Sequence, residues 1–323
     1  MTYPWGDGRR FNSYKRFLLQ QFGSRVQKLT LDAGFTCPNR DGTISSGGCT
    51  YCLNDAFNPS YCSAEKTVEQ QLAEGVSFHR NRGRQADAYI AYFQAFSNTY
   101  APIAKLQEIY RPAIENPLVK GIVIGTRPDC VDDAKLDFFA SLGQRMFVSI
   151  EYGVESCRDG TLHRINRGHD FKCACNAIRS TAERGIHCGA HFIYGLPGEM
   201  PAMWLEDLRE INALPLNSVK FHQLQIIKGT AMQRDYEMNP SDFHVFTQEE
   251  YVRFIVQITE RLNPAFVIER FASEVPPRYI FVNNWNLERY DAVLQKIERC
   301  LEEMDTFQGR LFSEKTIVPQ AFQ

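Results

Sequence analysis

Three cysteines, Cys37, Cys49 and Cys52, stand in one segment rich in Gly, Ser and Asn, with the spacing C-x11-C-x2-C. Four thiolates saturate an ordinary [4Fe–4S] cluster, whereas three leave one iron with an open position, which is what metal-centred chemistry on a bound molecule requires. Gly42, Gly47 and Gly48 let the backbone wrap closely around such a group without Cβ clashes. The same cysteines also allow two other readings. C-x2-C is half of a structural zinc site, with Cys62 near enough in sequence to be a fourth ligand, and buried cysteines with no metal are common core residues.

The elements that must position these thiols follow from the hydropathy pattern. From about residue 28 onward, short β-rich runs alternate with longer amphipathic stretches, the pattern of repeated β/α units around a parallel sheet. Strands are predicted over 28–32, 89–96, 121–126, 147–151, 189–194 and 219–227, and helices over 67–80, 102–114, 132–142, 172–184, 202–214 and 248–262. Six units are too few for a closed barrel. The expected fold is therefore α/β, a partial (β/α)6 barrel with its active end where the strands run out into the following loops. The cysteine segment directly follows the first strand, at that end.

Beyond the core (26–262) the alternation changes. A strand over 266–271 and a charged helix over 287–304 read as a C-terminal α/β extension (263–312), with 1–25 as an N-terminal segment and 313–323 as a tail. The formal charge of −2 gives no global field toward nucleic acid or membrane, and no uncharged apolar run approaches the roughly 20 residues that span a bilayer. Ten cysteines in a chain of this size without a signal segment point to reduced thiols and a cytoplasmic location. Cys173 and Cys175, two apart on a helix, diverge and cannot share a metal, and Cys188 is the better candidate for a functional thiol. A single cluster is expected.

The cysteine segment, with Tyr51 immediately before its last cysteine, resembles the cluster loop of the radical S-adenosylmethionine superfamily. The commonest spacing there is C-x3-C-x2-C, and this chain departs from it. A similarly widened gap occurs in the radical domain of the Elongator catalytic subunit and in its bacterial relatives of the YhcC type. The resemblance to the latter extends through Tyr92-Phe93-Gln94-Ala95-Phe96-Ser97-Asn98-Thr99-Tyr100 and the run 148–169. It implies a [4Fe–4S] cluster on Cys37, Cys49 and Cys52, with S-adenosylmethionine chelating the open iron.

That cofactor presents an ammonium, a carboxylate, a sulfonium, a ribose and an adenine. The resemblance implies that Gln94, Ser97, Asn98 and Thr99, after the second strand, contact its amino end; the alternative is a polar turn capping the next helix. Arg127, ending the third strand, suits a bidentate grip on a carboxylate, or else a salt bridge to a neighbouring acid. Alternation in the fourth strand turns Val148 and Ile150 one way and Ser149 and Glu151 the other, so Glu151 enters the barrel interior and needs a partner. The cofactor's ribose or ammonium would serve, as would an interior Lys or Arg. Tyr194-Gly195-Leu196-Pro197-Gly198-Glu199 resembles a turn near the cofactor in the superfamily, or is simply a strand-to-helix turn. Lys220 and His222 are weaker candidates for substrate contact.

The implied function is reductive cleavage of S-adenosylmethionine with an electron from a donor such as flavodoxin or ferredoxin, starting radical chemistry on an unidentified substrate. No general acid or base stands out. The Elongator likeness suggests RNA, which Arg9, Arg10, Lys15, Arg16, Arg25 and Lys28, with Arg80, Arg82 and Arg84, could meet through phosphates, although such charges are usually a solvated face. An acetyltransferase domain does not fit in the residues after the barrel. The competing function is a zinc-stabilised RNA-binding or scaffold protein without turnover.

Overall fold

The computed structural model describes residues 2–282, 285 and 288–313. Seven parallel strands form one sheet in strict sequence order: β1 (Val26–Leu31), β2 (Ala88–Phe93), β3 (Val119–Thr126), β4 (Phe147–Glu155), β5 (His187–Tyr194), β6 (Ser218–Gln223) and β7 (Val267–Arg270). The helices are α1 (Tyr14–Phe22), α2 (Val68–Arg80), α3 (Ile103–Glu115), α4 (Asp133–Gly143), α5 (Asp159–Arg164), α6 (Phe171–Glu183), α7 (Pro201–Ala213), α8 (Ala231–Met238), α9 (Gln248–Arg261) and α10 (Tyr290–Glu303). Sequential parallel neighbours joined by helical crossovers make the right-handed β/α succession that the alternating pattern called for. Helix starts are local: Thr67 with Gln70 and Thr247 with Glu250 form capping boxes at α2 and α9.

The sheet is a curled half-barrel. Lys28 on β1 forms ion pairs with both Glu151 on β4 and Glu269 on β7, which a flat sheet of this order would hold far apart. The outer face, including Val148 and Ile150, packs under the helices in the main core, whereas Ile90, Tyr92, Val123 and Val267 face inward against Tyr14 and Leu18 of α1. The N-terminal segment thus plugs the closed end of the half-barrel, with Ser13 bridging Ile268.

The strand foreseen in the C-terminal extension is the seventh strand of the same sheet, pairing with β6, so the sheet has one strand more than the six units counted in the core. The pattern foresees the strand itself over 266–271; that it joins β6 is a pairing between segments, which the pattern within one segment does not carry. Helix α10 buries Val293, Ile297 and Leu301 in the main core, and Gln308 binds the Asn12 amide and the carbonyls of Asn263 and Phe266. The expected tail beyond Ser313 lies outside the described residues. Among the described residues no helix is long and apolar enough to cross a membrane.

Candidate active site

The chain between Cys37 and Cys49 folds back on itself. Ile44 N–H donates to the Pro38 carbonyl at 2.9 Å, Gly48 N–H to the Asn39 carbonyl at 2.8 Å, and Asp41 and Ser46 form an antiparallel bridge. The long first gap is therefore a small hairpin that returns Cys49 to the neighbourhood of Cys37. Cys52 N–H then donates to the Cys49 carbonyl at 3.0 Å, the tight turn that C-x2-C permits. All three cysteines line one cavity of about 1300 Å³ at the C-terminal ends of the strands.

A second segment clamps the hairpin. The Asn166 amide donates to Ser45 Oγ and the Gly48 carbonyl, and the Asn39 amide reaches the carbonyls of Asn166 and Arg167. Arg167 is buried, and its Nη1 lies 3.4 Å from Cys49 Sγ, while Nη2 donates to the Gly153 carbonyl and faces Glu155 at 3.6 Å. A Cβ on Gly153 would stand 2.6 Å from Arg167 Nη2 and closer still to the Glu155 carboxylate, so a larger residue there would have to displace both groups. Glu155 and Asn166 hold left-handed backbone at φ 72° and 54°, as does Phe96 at 63°, whose ring lies beneath Arg40 of the hairpin, a concentration of strain beside the cysteines.

Electrostatics follow from this geometry. Burial and the neighbouring Cys49 push the Cys52 thiol above its ordinary range. Burial opposes the Arg167 charge, but Tyr51, Cys49 and Glu155 together raise it well above its ordinary value, so a permanent cation sits against a cysteine sulfur. N–H donors on sulfur suit thiolates that carry negative charge into an iron–sulfur group. The chemistry of the donors suits that group, with three thiols on one loop and a guanidinium and an amide on Cys49, although among the described residues no three His, Cys, Asp or Glu side chains are gathered closely enough to hold a metal ion. Zinc with Cys62 is not favoured, because Cys62 does not line the cavity and lies instead by Asp32 and Lys66.

The other anticipated residues divide. Tyr51, Gln94, Ser97, Arg127 and Glu151 line the same cavity. Arg127 grips Asp129 in bidentate fashion at 2.8 and 2.6 Å, leaving Nη1 buried without a partner, and Ser97 Oγ is likewise unpartnered. Asn98 and Thr99 are turned away. The Asn98 amide donates to the Phe93 and Gly125 carbonyls and Thr99 bonds Thr126, so both side chains stitch β2 to β3 beneath the turn. Glu151 obtains its partners from the protein: Lys28, Lys220 and His191 all reach its oxygens. Burial disfavours its charge, yet Lys220 and Lys28 hold the carboxyl well below the usual carboxylate range.

Glu199, in the glycine–proline turn, is buried and accepts from Ser156 and Trp204, a structural role. Cys188 sits in the outer core, and burial alone raises its thiol. Arg9 and Arg10 pair with Glu298 and Asp305, and Lys28 points into the barrel, so these three do not form an outward basic face. Sequence reasoning missed Asn39 and Arg167; a charged residue in an otherwise ordinary helix–helix connection carries no local signal of a partner 118 positions away.

A half-barrel of parallel strands with a three-cysteine loop after its first strand defines a class of iron–sulfur enzymes. Family models agree: residues 39–211 match the radical SAM superfamily and 216–303 the Radical_SAM C-terminal domain. The chain belongs to the radical S-adenosylmethionine superfamily, and its cofactors are a [4Fe–4S] cluster and S-adenosylmethionine. Protein YhcC of Escherichia coli is 33% identical over 90% of this chain and 92% of its own length. A tRNA uridine(34) acetyltransferase of Methanocaldococcus infernus is 25% identical over 61% of this chain and 38% of its own. The structure of Elp3 from the same archaeon superposes with a TM-score of 0.65 at 15% identity, covering 88% of this chain and 64% of that one, a likeness of fold.

Proposed function

We propose that Cys37, Cys49 and Cys52 hold the cluster and that the cavity beside them takes S-adenosylmethionine for reductive cleavage, to start radical chemistry on a further substrate. The observation that carries this reading is the hairpin that returns Cys49 to Cys37 within one cavity, with Arg167 on the Cys49 sulfur. Held by Cys37, Cys49 and Cys52, a reduced cluster would supply one-electron chemistry toward S-adenosylmethionine bound beside it, and with it the means to start radical chemistry on a substrate.

The chain's own residues orient and shield. Arg167 and Asn39 donate to the Cys49 sulfur and temper its charge. The unspent Nη1 of Arg127 and Oγ of Ser97, with Gln94, are the polar groups offered to the cofactor's amino-acid end, and Tyr51 closes the apolar wall beside Cys52. Asn98 and Thr99 hold the turn that presents Ser97. Glu151 positions the floor of the cavity through its lysine partners.

A flavodoxin or ferredoxin is the fitting electron donor, and the cytoplasm, where thiols stay reduced, the fitting compartment. RNA is the substrate class favoured by the relatedness to a tRNA-acting acetyltransferase. Anaerobic reconstitution with iron and sulfide, then dithionite and S-adenosylmethionine, tests the reading. Wild-type protein is expected to form 5′-deoxyadenosine, and Cys37→Ala, Cys49→Ala or Cys52→Ala to lose both bound iron and product. A fully loaded wild-type protein that makes none would overturn it.

A further inference from the structure

The cysteine loop is held from outside by the connection between β6 and α9, residues 224–247, which carries α8. Thr50, between Cys49 and Tyr51, is the joint. Its N–H donates to the Ile165 carbonyl just past α5 at 3.0 Å, and its own carbonyl accepts the Met232 N–H of α8 at 2.9 Å. The first N–H groups of a helix have no partner within it. In α8 the Thr230 hydroxyl takes that of Gln233, and the cysteine loop takes that of Met232. Arg164, the last residue of α5, completes the attachment. It grips Asp235 of α8 in bidentate fashion at 3.2 and 3.1 Å and reaches Asp242, just beyond the helix, at 2.8 Å.

Little else keeps α8 in place. It has eight residues, below the length of about 12–15 at which an isolated helix becomes even marginally stable. Met232 is the only one of its side chains that is buried, and it packs in one apolar cluster with Leu162 and Ile165 around the end of α5, with Phe243 and with Tyr51. The contacts that seat α8 are therefore contacts to the cysteine loop and to the segment that clamps it. Cys37, Cys49 and Cys52 line one cavity, yet among the described residues they are not gathered closely enough to hold a single metal ion. A group that bridges all three thiols fixes separations that the chain alone leaves free, and it does so on both sides of Thr50. The free energy of binding such a group is also folding free energy for the loop that supplies the ligands. A loop so fixed gives α8 a fixed acceptor.

We propose that the 224–247 connection is a strap whose order is coupled to occupancy of the three-cysteine site, with Arg164 as the positioning residue that transmits the coupling through α8. The proposal rests on the reading that these cysteines hold a cluster, and it names a regulation of that site. Coupling between two sites is reciprocal. A filled site holds Thr50 still and with it the start of α8; a latched α8 in turn slows the loss of what the cysteines hold. The same connection contributes Leu224, Gln225, His244 and Val245 to the cavity wall. The chamber is then complete only once the cysteine site is filled, an order of assembly that keeps radical chemistry out of a cavity open to water.

The experiment is hydrogen–deuterium exchange, read by mass spectrometry, on the full-length protein before and after anaerobic reconstitution with iron and sulfide, together with the rate at which ferrozine strips iron from the loaded protein. In wild type the amides of 231–243 are expected to exchange about five- to fiftyfold more slowly after loading, the ordinary range of coupling between sites. Arg164→Ala is expected to cancel that gain and to speed iron release by a similar factor. Arg164→Lys, which keeps the charge but not the bidentate grip, should fall between, and adding Asp235→Ala to Arg164→Ala should add little, because the two act as a pair. Arg184→Ala, whose ion pairs with Asp133 and Asp137 lie on the outer surface, is expected to behave as wild type. Melting curves of the empty variants separate lost coupling from a lost fold, and Asp235→Asn repeats the test from the other partner. Equal exchange of α8 in empty and loaded protein overturns the proposal, as does iron release from Arg164→Ala at the wild-type rate. Wild-type protein that makes 5′-deoxyadenosine with α8 unmoved by loading sinks this inference and leaves the radical reading standing. Protection gained on loading in a protein that makes none does the reverse, and a protein that takes up no iron overturns both.

Discussion

The floor and the mouth of the same cavity handle charge in opposite ways. On the floor, Lys28, Lys220, Glu151 and Glu269 neutralise one another, with His191 on Glu151 and Tyr92 beneath both ammonium groups at 4.6 Å. At the outer rim, Arg82, Arg270 and Arg278 rest on aromatic rings and form no ion pair among the described residues. The difference separates a charge lattice that sustains the barrel from charges left available. A buried ion needs a partner in the folded protein itself, whereas a cation at a wet rim can wait for one.

The sharpest way to break this comparison is Glu151→Gln, which leaves two interior lysines short of a counter-charge. Losing one member of a buried ion network costs about 3–5 kcal/mol, so the melting temperature is expected to fall steeply; adding Lys220→Met should restore a large part of it. A single variant as stable as wild type would mean that the floor is not held by its charges.

Arg167 lies between the two regimes, paired with Glu155 yet aimed at a sulfur. Arg167→Met is expected to lower bound iron or 5′-deoxyadenosine formation about 10–100-fold, the usual cost of losing an outer partner of a metal ligand, and to move the cluster potential downward because sulfur loses a donor. An unchanged potential would reduce Arg167 to a packing role.

Acid should act first on buried histidines and then on the floor. Burial lowers His187, packed at the barrel's closed end, to about 4 from 6.5, so it is neutral when folded and the unfolded chain takes up the proton first. Stability therefore falls as pH drops from 6.5 toward 4. Glu151, with its carboxyl held well below the usual range, contributes stability that is present above the ordinary carboxylate value and lost only at still lower pH. Thermal melts over this range check both, and His187→Phe should shrink the first phase, the rest of which belongs to His79, His169 and His222, also lowered by burial. A melting temperature flat across it would contradict the assignment.

The smallest effect belongs to the mouth. Arg278→Ala is expected to change stability by no more than about 0.5 kcal/mol, measured by urea unfolding, even where it weakens a ligand. A larger loss would make that arginine part of the scaffold.

Much of this was legible in the amino-acid order. The β/α alternation located all seven strands within a few residues, the spacing of Cys37, Cys49 and Cys52 singled out three residues that line one cavity, and side-chain alternation along β4 turned Glu151 inward. Each of these rests on periodicity or spacing within one segment, which local sterics and hydrophobic burial determine. Tertiary structure decided the partners. Arg167 reaches Cys49, Lys28 meets Glu269 from 241 positions away, Glu151 is satisfied by lysines, and Asn98 and Thr99 are spent on neighbouring strands. Those pairings depend on the curl of the sheet and the return of a hairpin, which set distances between residues remote in sequence and leave no mark on the neighbours of either one.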